Sequence, residues 1–189
     1  MPFMSYQTNT TTDFKQNEFG DVAFIALGSN LPFNHSSSVE TLQHAMKCLQ
    51  KLSQSPLLRS STWLSKPIEC PANSPKFANA VVGLYPLQSE SAASLLSKIL
   101  ELETDFGRQR GGVVNEPRIL DLDLITFGKQ VIDQQALTIP HPAAQSRAFV
   151  LFPLEEIASD FVFPGQDQSV TELANILRLS CPDIVKISR

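Results

Sequence analysis

The sequence predicts an α+β domain of ferredoxin-like type, an antiparallel sheet with helices packed on one face. Three observations predict it. Two segments, near residues 39–52 and 89–107, carry apolar residues at helical spacing. Four short runs rich in β-branched and aromatic residues surround them. Their order, β-α-β-β-α-β, is the split βαβ pattern. A length of 189 residues suits one domain with its own core.

The first strand is "DVAFIALGSN", residues 21–30, closed by turn residues. In "VETLQHAMKCLQKL", Val39, Leu42, Ala45, Met46, Leu49 and Leu52 fall on one helical face, with Ser36 to Ser38 as candidate caps. "LLRSSTWL" (57–64) is the second strand, and a loop with Pro67, Pro71 and Pro75 follows. "FANAVVGLYP" (77–86) is the third. The second helix spans 89–107, capped by Ser89 and ended by Gly107. After the loop "RQRGGVVNEP" comes the fourth strand, "RILDLDLITFG". Residues 130–142 read as extended. "RAFVLFPLEEIA" reads as a short helix interrupted or started at Pro153, and "SVTELANILRL" as a last short helix. Residues 1–20 are polar and read as a disordered extension, leaving 21–189 as a single domain.

The bulk composition narrows the function. A formal net charge of −4 does not favour nucleic acid as a partner. Cys48, Cys70 and Cys181 lie far apart without a CxxC, which favours neither a zinc knuckle nor a disulfide framework. No apolar run approaches the roughly 20 residues of a membrane helix, and the N-terminus lacks the apolar core of a secretory signal. These features point to a cytoplasmic protein without a membrane partner.

Chemistry concentrates around "PRILDLDLITFG". Residues i and i+2 of a strand share a face, so Asp121 and Asp123 point one way while Leu120, Leu122 and Leu124 point to the core. Two carboxylates about 7 Å apart repel unless a cation joins them. Oxygen donors of this kind suit Mg²⁺ together with substrate phosphates. Arg108, Arg110 and Arg118 precede the acids, and guanidinium forks fit phosphate oxygens. His141 and Arg147 follow as further phosphate donors. Phe77 and Asn79 share a strand face, a ring for a flat heterocycle beside an amide that offers donor and acceptor at once. Neither GxxxxGK[ST] nor GxGxxG occurs, so a nucleotide would not use those cradles. A solvated strand face for the acids, a hydrogen-bonding role for the histidine and a core position for the phenylalanine are the structural alternatives.

The segments "FIALGSN", "KFANAVVGL", "LELETDFGRQR", "PRILDLDLITFG" and "IPHPAAQSRAFVLFPLEEIA", over roughly residues 22–163, resemble the 6-hydroxymethyl-7,8-dihydropterin pyrophosphokinase family of folate biosynthesis. The resemblance implies a monomer that moves pyrophosphate from ATP to the pterin hydroxymethyl group, releasing AMP, with two Mg²⁺ ions. It implies Asp121 and Asp123 as metal ligands and Arg108, Arg110 and Arg118 as catalytic cations. It implies His141 and Arg147 at the ATP phosphates, Glu103 near the nucleotide, and Leu96, Leu124 and Thr138 around adenine. Phe77, Asn79 and Phe149 would form the pterin pocket, with Ser65 and Ile68 contributing through backbone. Val114, Asn115 and Glu116 depart from the family, standing where a cation, an aromatic ring and a glycine are common. The loop 107–117, hinged at Gly111 and Gly112, is expected to close over bound substrates. A non-catalytic ferredoxin-like binding module and a metal-dependent phosphohydrolase are the competing functional classes.

Overall fold

The structure, a computed structural model, describes residues 19–67, 75–108 and 117–187. The strands are β1 (Ala23–Ser29), β2 (Leu58–Arg59), β3 (Thr62–Ser65), β4 (Phe77–Leu84), β5 (Asp121–Phe127), β6 (Ile132–Gln134), β7 (Leu137–Ile139) and β8 (Val185–Ile187). The helices are α1 (Ser38–Leu49), α2 (Ala92–Asp105), α3 (Ala148–Ala158) and α4 (Val170–Arg178). The main sheet runs β5-β1-β4-β3-β8, and β2 also pairs with β4. All of its pairings are antiparallel. For the four predicted strands this is the order 4-1-3-2, as the split βαβ pattern requires. Residues 130–142 hold the small hairpin β6–β7.

Alternation along the strands decides the layers. Ile25 and Leu27 of β1, Ala80 and Val82 of β4, and Leu122 and Leu124 of β5 share one face. They bury against Leu42 and Leu49 of α1 and Leu95 and Ile99 of α2. Phe24, Ala26, Val81 and Ile125 point the other way, and that face is also covered. Here the one-faced expectation is corrected. In α3, Ala148, Val150, Leu151, Phe152, Pro153, Leu154 and Ala158 are all buried, so the helix is a third layer against the sheet, with α4 packed beside it.

Local chemistry sets the ends of the elements and corrects several of them. Ser37 caps α1 in a reciprocal box with Glu40, and Ser169 caps α4 with Glu172. Ser91, not Ser89, caps α2, because Ser89 adopts φ 64° and belongs to the preceding turn. Gly107, at φ 79°, follows α2 as expected. Pro153 neither starts nor breaks α3; it lies inside a continuous helix whose burial offsets the lost backbone bond.

The predicted second strand is split. Arg59 pairs with Val82 but Trp63 with Asn79, a shift of one residue across Ser60 and Ser61. Side chains take over where the ladder breaks: Ser60 Oγ accepts the Val81 N–H at 2.9 Å, and Glu156 accepts the Ser61 N–H at 3.1 Å. At the N-terminal end, Phe19 packs its ring on Phe24 and Phe161, so the packed body begins two residues before Asp21.

Candidate active site

One end of the sheet's second face stays open. The register puts Asn79 of β4, Gly28 of β1 and Asp121 of β5 in one row, with Ala26 opposite Asp123. Gly28 forms the floor of a cavity of about 270 Å³. A Cβ there would lie 3.8 Å from Asp121 Cβ, 3.9 Å from Asn79 Oδ1 and 4.0 Å from Phe77 Cδ1, so any longer side chain would fill the space. The first turn of α3 brings Arg147 and Phe149 to its rim. His141 is tied to β5 by its backbone N–H, which donates to Ile125 O at 2.9 Å.

Ten of the predicted residues line this one cavity: Arg108, Arg118, Asp121, Asp123, His141, Arg147, Ser65, Phe77, Asn79 and Phe149. An adjoining cavity of about 320 Å³ is lined by the other four that can be placed, Leu96, Glu103, Leu124 and Thr138. It shares Arg108, Asp121, Asp123 and His141 with the first. Arg110 and Ile68 lie outside the described residues, as do Gly111, Gly112 and Val114 to Glu116 of the expected lid.

The two aspartates are held differently. Asp121 accepts from Arg108 Nη1 on Oδ1 at 2.6 Å and from Arg118 Nη1 on Oδ2 at 2.9 Å. Asp123 has Arg147 Nη1 only at 3.9 Å. Its carboxyl is pushed above the usual range, first by burial and then by the charge of Asp121, against the pull of His141, Arg147 and Arg118. Glu103 is 1% exposed, accepts the Leu122 N–H at 2.6 Å and pairs with Arg108. Its carboxyl is likewise raised, mainly by burial, with the Leu122 N–H and Arg108 opposing.

Among the described residues no group of three His, Cys, Asp or Glu could form a metal cage by itself. Two crowded carboxylates facing a cavity suit Mg²⁺, whose remaining ligands would be phosphates and water.

The other donors are equally constrained. Asn79 Nδ2 reaches Ser65 Oγ at 3.0 Å, Trp63 O at 3.3 Å and Phe77 O at 3.4 Å. Two of these acceptors are carbonyls, so the amide's NH₂ is turned into the protein. Asn79 therefore presents its oxygen alone, not donor and acceptor together. His141 Nδ1 accepts the Ala143 N–H at 3.2 Å, so a neutral ring carries its proton on Nε2. Arg118 lies over the Phe77 ring at 6.0 Å and Arg147 over Phe149 at 5.7 Å.

This arrangement, three guanidinium groups around two acids beside a pair of phenyl rings, coincides with a family match. The family model of 7,8-dihydro-6-hydroxymethylpterin-pyrophosphokinase (HPPK) fits residues 24–159. The chain belongs to the HPPK family.

Bacterial relatives agree along most of their length. A Haemophilus influenzae protein named 2-amino-4-hydroxy-6-hydroxymethyldihydropteridine pyrophosphokinase is 40% identical over 153 residues, covering 80% of this chain and 89% of that one. A Synechocystis protein of the same name is 38% identical over 162 residues, covering 86% and 78%. A Plasmodium falciparum HPPK-DHPS crystal structure superimposes with a TM-score of 0.66 over 89% of this chain at 12% identity, a likeness of fold. The chain spans about half the length of that structure, 48%.

Sequence reasoning missed three contributors. Gly28 leaves the cavity open. Asn30 holds the backbone of Arg118, accepting its N–H on Oδ1 at 2.7 Å while the Asn30 N–H donates back to Arg118 O at 3.1 Å. Both sit in "FIALGSN", read as a strand with its closing turn and as a family segment, with no role given to either residue. Lys66, paired with Asp183 at 2.9 Å, also lines the cavity.

Proposed function

We propose that the protein transfers pyrophosphate from ATP to the hydroxymethyl group of 6-hydroxymethyl-7,8-dihydropterin, giving AMP and the pterin diphosphate in folate biosynthesis. The observation that carries the reading is the gathering of Asp121, Asp123 and three arginines in one cavity with two phenyl rings. A binding module for flat heterocycles would not need the charges, and a simple phosphohydrolase would not need the rings.

The adenine lies among Leu96, Leu124 and Thr138, and the triphosphate runs towards His141 and Arg147. The pterin lies against Phe77 and Phe149, with Asn79 Oδ1 accepting from one of its N–H groups. Ser65 supports that contact by engaging the Asn79 amide, and Ile68 adds a backbone contact. This brings the pterin hydroxymethyl oxygen to the β-phosphorus. A new O–P bond forms there, the bond from the β-phosphorus to the α,β-bridging oxygen breaks, AMP departs with that oxygen, and the hydroxyl proton is released to solvent.

Positioning and charge neutralisation are the protein's share of such chemistry. Arg108, Arg110 and Arg118 supply positive charge where negative charge accumulates. Glu103, on the nucleotide side, holds Arg108 in place. Asp121 and Asp123 would hold two Mg²⁺ ions, which supply Lewis-acid neutralisation of the polyphosphate. One chain carries every residue invoked, so the reaction needs no second copy. No helix among the described residues is long and apolar enough to cross a membrane.

Incubation with ATP, Mg²⁺ and the pterin alcohol tests this reading. AMP is expected to appear mole for mole with pterin consumed. ADP as the main product, or the same nucleotide release without pterin, would reject it.

A further inference from the structure

Both oxygens of Asp121 accept from guanidinium groups, and the two arginines are not held alike. Arg108 is anchored from behind the strand by buried Glu103, which is itself fixed by the Leu122 N–H. Among the described residues, Arg118 has no such anchor for its side chain. Its backbone is clamped by Asn30, but its guanidinium rests on Asp121 Oδ2 and over the Phe77 ring. Its Nε is buried with no hydrogen-bond partner among the described residues. A guanidinium in that position is poised to leave once a better set of acceptors arrives, because its orphan donor gains a partner by moving.

We propose that Arg118 stands in for the cation at Asp121, so that cation binding there is conditional on a polyphosphate that takes the guanidinium over. This rests on reading Asp121 and Asp123 as the metal-holding pair. With Arg118 in place, a divalent ion approaching Oδ2 meets a positive charge already paired with that oxygen. Phosphate oxygens offer Arg118 a bidentate partner and free the carboxylate in the same step. Cation and polyphosphate then each favour the other's binding, as linkage requires. Arg147 does not play this part: it stands 3.9 Å from Asp123, too far to occupy that carboxylate.

The test uses Mn²⁺ as an electron-spin probe on the full chain, titrated into wild type, Arg118→Met and Arg147→Met. Without nucleotide, Arg118→Met is expected to bind Mn²⁺ about 10-fold or more tighter than wild type, in line with the effect of one adjacent charge on a carboxylate. Arg147→Met should change it much less. Arg118→Gln serves as a second variant and should follow Arg118→Met. Separately, wild type should bind the complex of Mn²⁺ with α,β-methylene-ATP, and Asp123→Asn should not. If wild type fails to bind that complex, or Asp123→Asn binds it equally, the metal-site reading falls and this inference with it. If wild type binds the complex but neither Arg118 variant gains affinity for Mn²⁺ alone, the stand-in role alone is overturned.

Discussion

The two faces of β5 make opposite use of the same backbone. Leu122 and Leu124 are 2% and 4% exposed beneath α1 and α2. The side chains of Asp121 and Asp123, alternating with them, keep 24% and 35% of their surface. The difference lies in what covers each face. The helices on the first face close it along the length of the strand. On the second, α3 packs near Ile125 and begins only at Ala148, so the end of the strand that carries the acids stays open. Period-two alternation prepares both outcomes, and the position of one helix terminus selects between them. The open face is itself uneven, since Asp121 accepts from two guanidinium groups while Asp123, among the described residues, has the looser Arg147 pair at 3.9 Å.

Substitutions on each face should separate chemistry from stability. The largest effect is expected at Asp123→Asn, where turnover should fall about 1,000-fold or more, roughly 4 kcal/mol of barrier. The melting temperature of the ligand-free protein should stay level or rise. The sign follows from the raised carboxyl: the native state favours the protonated form, so ionised Asp123 opposes folding at neutral pH, and Asn removes that opposition. A marked loss of melting temperature would show that Asp123 is structural.

On the other face, Leu122→Ala should cost about 2–5 kcal/mol in urea unfolding, with turnover of the folded fraction within a few-fold of wild type. A large turnover defect in protein that remains folded would mean the two faces are coupled. Asn79→Ala should weaken pterin binding about 5- to 150-fold, from an unpaired-group cost of about 1–3 kcal/mol, and ATP binding little. Equal losses for both ligands in calorimetry would remove Asn79 from the pterin pocket. The smallest effect is expected from deleting residues 1–18, whose composition offers little for a core. Melting temperature and turnover should both stay close to those of the full chain.

Much of this was legible because periodicity reports facing. The helical spacing of Leu42, Ala45, Met46 and Leu49, and the alternation through Leu120 to Leu124, state which side each residue takes. Arg118 stands three residues from Asp121 and was legible beside it, whereas the gathering of the acids with Phe77, Asn79 and Phe149 followed from the family motifs, since no local pattern relates residues that far apart in sequence. What stayed hidden depends on distant partners. The break at Ser60 and Ser61 exists because Val81 and Glu156 supply the missing bonds. Strand β8 is only three residues long, too short for a periodic pattern, and is defined by pairing with β3. The continuity of α3 through Pro153 reflects burial on the sheet, which outweighs a local breaker. Gly28 and Asn30 read as turn residues until the register sets Gly28 between Asn79 and Asp121 and the fold brings Asn30 against Arg118.

The most direct test of the open face as a pyrophosphoryl-transfer site is phosphorus NMR of ATP, Mg²⁺ and the pterin alcohol mixed with wild type and, separately, with Asp123→Asn. Wild type should convert the β- and γ-phosphorus signals of ATP into those of a pterin diphosphate, with AMP accumulating. The variant should leave ATP unchanged over the same interval. Inorganic phosphate with ADP from wild type, or pterin diphosphate formed by the variant at a comparable rate, would contradict the account.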